Sequence, residues 1–186
     1  VRLFVALQVP EPWRAIARAV DEMLDAASDV PMRFVDPSLL HITLRFLGEV
    51  PEERVPALDA ALTHRLSPVD LALGLGSPST FGPPTRTQAV WLSVRGDIER
   101  LRTLVRRVDL AIAHAGIEVR DHRFSPHLTL ARLDRKVTQE QRRLVAELVG
   151  TMPPPQPFSH RVREAVLIRS TLGGARPVYE VIGHYR

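Results

Sequence analysis

The stretch that decides the reading is LLHITLRFLGEV, residues 39–50. Its composition is that of a strand, yet a histidine and a threonine stand in the middle of it. A second version follows as SPHLTLARL, residues 125–133, with its histidine 127 − 41 = 86 positions later, close to half of the 186-residue chain. Side chains alternate across a strand. His41 and Thr43 therefore share one face, Arg45 is expected to follow on it, and Ile42, Leu44 and Phe46 are expected to point into a core. In the second stretch His127 and Thr129 share a face with Leu128 and Leu130 behind them. Arg132 falls on the apolar side by strict alternation, unless the strand bulges or ends there.

Around these two strands the pattern is regular. Leu3–Val9 reads as a first strand. Trp13, Ile16, Ala17, Val20, Met23, Leu24 and Ala27 form a helical stripe, with Pro12 in the first turn. Phe34 and Val35 suggest a short strand before Pro37, and Gly48 should end the first motif strand. A helix is expected over residues 52–66 with Val55, Leu58 and Leu62 inward, then a strand over residues 69–75. GSPSTFGPPTRTQ, residues 76–88, reads as a turn-rich loop near mid-chain where the chain could cross between lobes. A strand over residues 89–94 leads to a helix opened by Asp97 and striped by Ile98, Leu101, Leu104, Val105, Val108 and Ile112, with Gly116 at its end. Thr138 and Gln141 read as a capping box for a helix carrying Leu144, Val145 and Leu148, stopping at Gly150. MPPPQP is a stiff connector, and strands over residues 163–170 and 178–184 flank TLGGARP, a hairpin-type turn. Strand, helix, strand, helix, strand thus occurs twice, which suggests a duplicated unit.

Composition narrows the chemistry. There is no cysteine, which excludes disulfides, thiolate catalysis and cysteine-ligated zinc. The longest apolar runs fall short of a membrane span, and the opening VRLFVALQVP is too short for a secretory signal, so a cytoplasmic protein is expected. The formal charge is +4 with a pI near 10.5. This favours an anionic partner such as nucleic acid, although Lys136 is the sole lysine and a coding bias toward arginine is an alternative.

Two imidazoles and two hydroxyls facing one cleft could hold one ring neutral and the other protonated. That pair could take a proton from water and deliver one to a leaving oxygen, each group contributing on the order of 10²–10⁴-fold. The hydroxyls could donate to phosphoryl oxygens, and an arginine could neutralise the growing charge. Neither metal nor cofactor is required. Asp121, His122 and His127 invite a metal reading, but their spacing matches no common zinc motif. His64, His160 and His184 read as surface residues and His114 as partly buried. G-x-S-x-G and Walker A sequences are absent.

With these residues in view, the chain resembles the RNA 2′,3′-cyclic phosphodiesterases of the ThpR/LigT type, historically called 2′-5′ RNA ligases, of the two-histidine phosphoesterase superfamily. RLFVALQVP, LHITLRFLGEV, FGPPTRTQAVWLSV and FSPHLTLAR carry the likeness, and STLGGARPVYEVI does so more loosely; GGARPVY and GHYR depart from the family's closing pattern. The resemblance implies an α+β fold forming a single bilobal domain over residues 1–186, with two antiparallel sheets backed by helices, a pseudo-twofold axis and a central cleft. It implies catalysis by His41 and His127, and phosphate contacts from Thr43, Thr129 and Arg132. Phe46 falls where relatives place an aromatic near the substrate. The implied reaction opens a terminal RNA 2′,3′-cyclic phosphate to a 2′-phosphate without metal, with 2′-5′ ligation as its reverse. The expected partners are RNA ends or nucleotides bearing a cyclic phosphate, with no membrane or protein partner, in a monomer. Action on small nucleotide or ADP-ribose cyclic phosphates, and a non-catalytic RNA-binding module, remain as alternatives.

Overall fold

The computed structural model describes residues 1–119, 121–173 and 177–186. In chain order the elements are β1 (Arg2–Gln8), α1 (Glu11–Ala27), β2 (Met32–Phe34), β3 (His41–Glu49), α2 (Val55–Leu66), β4 (Leu71–Thr80), β5 (Ala89–Gly96), α3 (Ile98–His114), β6 (His127–Leu133), α4 (Gln139–Thr151), β7 (Ser159–Val162), β8 (Ala165–Thr171) and β9 (Val178–Tyr185). They build two antiparallel sheets, β3-β1-β8-β9 and β2-β6-β5-β4-β7. The order β3-β1-β8-β9 matches β6-β5-β4-β7, so the sheets are pseudo-equivalent and β2 is an extra edge strand on the second. The fold is α+β with two lobes, as the resemblance implied.

The two units are not simple halves of the chain. β4 belongs to the second sheet, and β8 and β9 return to complete the first. The mid-chain loop is therefore a connection within one sheet, between β4 and β5, and not the expected crossing between lobes. β4 also runs five residues further than its composition suggested, through Gly76 to Thr80. A break in register between Leu75 and Pro78 accommodates the proline, which has no N–H to give to a ladder. A Cβ on Gly76 would stand 2.3 Å from Ser93 Oγ and 2.8 Å from Arg95 Nε, so both side chains would have to shift to admit a larger residue where β4 meets β5. Part of TLGGARP, at residues 174–176, lies outside the described residues.

The amphipathic helices supply the rest of the core. Trp13, Ala17, Val20 and Leu24 of α1 are buried, as are Leu58 and Leu62 of α2 and Leu101, Leu104, Val105, Val108 and Ile112 of α3. Met23, Ala27 and Leu144, counted in the stripes from spacing alone, are exposed. One apolar cluster takes residues from both sheets and all four helices. Burial of each such leucine stabilises by about 1.5–3 kcal/mol. The capping box forms in full: Thr138 Oγ1 accepts from Gln141 N, and Gln141 Oε1 accepts from Thr138 N. Asp97 stands at the N-cap of α3 but bonds elsewhere. Its carboxylate accepts from Ala72 N at 2.9 Å and from Arg100, tying α3 to β4.

Candidate active site

The two motif strands carry the same accessibility signature over their first seven residues: partly exposed, buried, partly exposed, buried, buried, exposed, buried. The consecutive buried pair marks a β-bulge in each. In β3, Thr43 opposes Ala6 and Arg45 opposes Val5, leaving Leu44 as the inserted residue. In β6, Thr129 opposes Trp91 and Ala131 opposes Val90, leaving Leu130 as the insertion. One extra residue inverts alternation from that point onward.

This corrects two expectations. Arg45 does not stand beside His41 and Thr43. It is 4% exposed, its Nε and Nη2 donate to the Asp109 carboxylate of α3 at 2.7 and 2.8 Å, and its Nη1 donates to the carbonyls of Asp121 and Arg123. Its donors are committed inside the protein and are not available to a substrate phosphate. Phe46, expected in the core, returns to the histidine face and is 45% exposed. It stacks on Phe4 at 5.7 Å, and the Arg2 guanidinium lies over its ring at 4.9 Å from the centroid. By the same inversion Arg132 is exposed and its charge is felt by both His41 and His127, which places it with the histidines.

Each histidine is held in the same way. His41 Nδ1 donates to Leu39 O at 2.7 Å and His127 Nδ1 donates to Ser125 O at 2.7 Å. A ring whose Nδ1–H is spent on a carbonyl keeps Nε2 as the nitrogen that can gain or lose a proton. Aromatic rings fix the planes: Phe4 and Tyr179 lie 4.8 and 5.6 Å from His41, and Phe81 and Trp91 lie 4.8 and 5.8 Å from His127. These four aromatics were not singled out from the sequence. Trp91 was legible in principle, because it sits opposite Thr129 in the neighbouring strand.

Both rings are held below their ordinary range. Burial pushes the His41 imidazole below its ordinary pKa of 6.5; its bond to Leu39 acts in the other direction, and the charges of Arg132 and His127 lower it further. Burial also lowers His127, opposed by Ser125 and assisted by Arg132. β3 and β6 approach one another across the lobes. Thr43 and Thr129 are partly exposed, and neither hydroxyl has a partner among the described residues. Two proton-exchanging nitrogens, two free hydroxyls and one guanidinium therefore belong to one region, a set suited to a phosphodiester.

The metal reading does not gather. Asp121 is bound by Arg123, His122 lies 4.0 Å from Asp109, and His127 is tethered to Ser125. Among the described residues no group of three or more His, Asp or Glu side chains is placed to hold an ion. His114, expected to be partly buried, is exposed.

Two pseudo-equivalent sheets, each presenting a carbonyl-tethered histidine two residues before a threonine, define a two-lobed phosphoesterase fold. The sequence profile of the 2′-5′ RNA ligase superfamily matches residues 8–174, and the chain belongs to that family. It is similar to the RNA 2′,3′-cyclic phosphodiesterase of Archaeoglobus fulgidus, 32% identical with 97% of both chains covered. It is also similar to the protein of that name from Methanothermobacter thermautotrophicus, 29% identical over 96% of this chain and 95% of the relative. The crystal structure of E. coli LigT complexed with 3′-AMP superposes with a TM-score of 0.75 at 27% identity, covering 99% of this chain and 96% of the other. TT0787 of Thermus thermophilus gives 0.77 at 26% identity over 100% and 97%. Among the described residues no helix is long and apolar enough to cross a membrane.

Proposed function

We propose that this protein hydrolyses a terminal RNA 2′,3′-cyclic phosphate to a 2′-phosphate, using His41 and His127 as an acid–base pair. The observation that carries the reading is the paired tether: both Nδ1 atoms donate at 2.7 Å to the carbonyl two residues upstream, in matching bulged strands of opposite lobes. Neutral His127 Nε2 takes a proton from water as the water oxygen bonds to phosphorus. The bond from phosphorus to O3′ breaks, and protonated His41 Nε2 gives its proton to that oxygen. Thr43 and Thr129 donate to the non-bridging oxygens, and Arg132 offsets the charge that accumulates there. Run backwards with a ribose hydroxyl in place of water, the same steps form a 2′-5′ linkage. No step needs a metal, so activity should survive EDTA.

The relatives named RNA 2′,3′-cyclic phosphodiesterases support the substrate class. Nucleotides bound to E. coli LigT support a second reading, in which a mononucleotide cyclic phosphate is also turned over. The test is to incubate the protein with an RNA ending in a 2′,3′-cyclic phosphate, in EDTA, and to determine which oxygen keeps the phosphate. A 2′-phosphate is expected. A 3′-phosphate would reject the assignment of O3′ as leaving group, and an unchanged substrate would reject the function.

A further inference from the structure

The second lobe carries a basic groove. Its volume is about 1060 Å³, and it runs along the β2–β6 edge, from Arg132 toward the start of α4. It exceeds the roughly 300–1,000 Å³ of ordinary small-ligand pockets. Arg33, Arg86, Arg132, Arg135, Lys136 and Arg142 line it, against a single carboxylate, Asp134. Arg142 is structural: it donates to the carbonyls of Thr87, Asp134 and Val137 and thereby holds the walls together. The other five cations are exposed and form no ion pair among the described residues.

Many arginines elsewhere are paired, although Arg2, Arg54, Arg65, Arg95, Arg106 and Arg107 form no ion pair among the described residues. Arg18 meets Glu11, Arg102 meets Glu99, Arg143 meets Glu140, Arg161 meets Asp70, and Arg169 meets Glu52. What marks this groove is that five unpaired cations share it. Register adds a second observation. Arg33 of β2 lies directly opposite Arg132 of β6. Like charges in that position destabilise a sheet unless an anion lies between them. β2 has no counterpart in the first sheet, so the strand that breaks the pseudo-symmetry is also the one that supplies Arg33.

We propose that this groove is a backbone track for single-stranded RNA, seating the phosphates upstream of the terminal cyclic phosphate. The inference rests on the function proposed above, and Arg132 is where the track joins the histidine site. The enzyme then distinguishes an RNA strand from a mononucleotide by contacts outside the reacting centre.

The test compares the parent with Arg33→Gln/Arg86→Gln/Lys136→Gln, three exposed side chains outside the catalytic set. A control, Arg18→Gln/Arg106→Gln/Arg163→Gln, removes equal charge elsewhere. The probe is a fluorescent single-stranded 12-nucleotide RNA ending in a 2′-phosphate, titrated at several salt concentrations. Five phosphate contacts give a slope of log affinity against log salt of about −3.5, and two give about −1.4. Raising salt fourfold should then weaken binding roughly 100-fold for the parent and the control, and only about 7-fold for the groove variant. The groove variant should also lose kcat/KM on cyclic-phosphate RNA at low salt while turning over a nucleoside 2′,3′-cyclic phosphate at the parent rate. Parent-like salt slopes in the groove variant, or equal losses in the control, would overturn the track. Absence of turnover on both substrates would instead reject the proposed function, with the binding slopes still deciding the groove.

Discussion

Replacing Asp109 with alanine should unsettle the protein by leaving a buried guanidinium without its carboxylate. The change leaves the Arg45 guanidinium, 4% exposed, without its carboxylate, keeping only the carbonyls of Asp121 and Arg123 at 3.0 and 3.3 Å. Removing one partner of a buried ion pair costs about 3–5 kcal/mol. The Asp109 side chain retains 26% exposure, so water can reach the vacated space and the lower end applies, about 3 kcal/mol. For a chain of this size that corresponds to a fall in Tm of roughly 6–12 °C. Arg45→Met removes the charge itself, so combining it with Asp109→Ala should recover part of the loss. Calorimetry on the two single variants and the double closes the cycle. Arg45 also bonds residues 121 and 123, just ahead of the second motif, so Arg45→Met should lower kcat more than KM changes. A Tm for Asp109→Ala within about 2 °C of the parent would refute the buried-pair argument.

The remaining predictions follow from single groups. Both imidazoles are lowered by burial below 6.5, so the form with one proton between them is most populated in mildly acidic solution, and kcat/KM should peak below about pH 6.5. Because the unfolded chain binds these protons more readily, the stability they contribute is complete above pH 6.5 and is lost as pH falls through the folded values; a Tm rising on acidification from pH 7 in the parent, but not in His41→Gln, would contradict this. Asp21 behaves oppositely: burial raises it from 3.8 to about 7, and its Oδ1 lacks a hydrogen-bond partner among the described residues. Its effect is lost stability as pH rises from about 4 to 7, so Asp21→Asn should raise Tm at pH 8 and change it little at pH 4. Thr138→Ala removes the Oγ1 acceptor from the capping box and should cost about 1 kcal/mol, read as a Tm roughly 2–4 °C lower.

Periodicity made the helices and most strands legible, because each buries one apolar stripe. It also made the two histidines and two threonines legible, since they precede the bulges and alternation still holds there. Beyond Leu44 and Leu130 alternation misleads for a definite reason. A single inserted residue changes no composition, yet it exchanges Arg45 with Phe46 and carries Arg132 to the open face. The end of β4 is hidden by Gly, Pro, Ser and Thr, residues that suit a bulged strand as well as a turn. β7 escapes the pattern because Ser159–Val162 is polar, short and at a sheet edge. The sharing of strands between lobes cannot be read from element order, since β8 and β9 complete the sheet that β1 begins, more than 150 residues later in the chain.

His41 and His127 are held to act as a pair on one phosphorus atom. The direct measurement is turnover of a cyclic-phosphate RNA by His41→Ala, His127→Ala and the double variant, each first checked for a native Tm. The expected result is a loss of at least ~10²-fold for each single change, and a double variant far less impaired than the product of the two losses. Near-native turnover in either single variant, or fully multiplicative losses in the double, would contradict it.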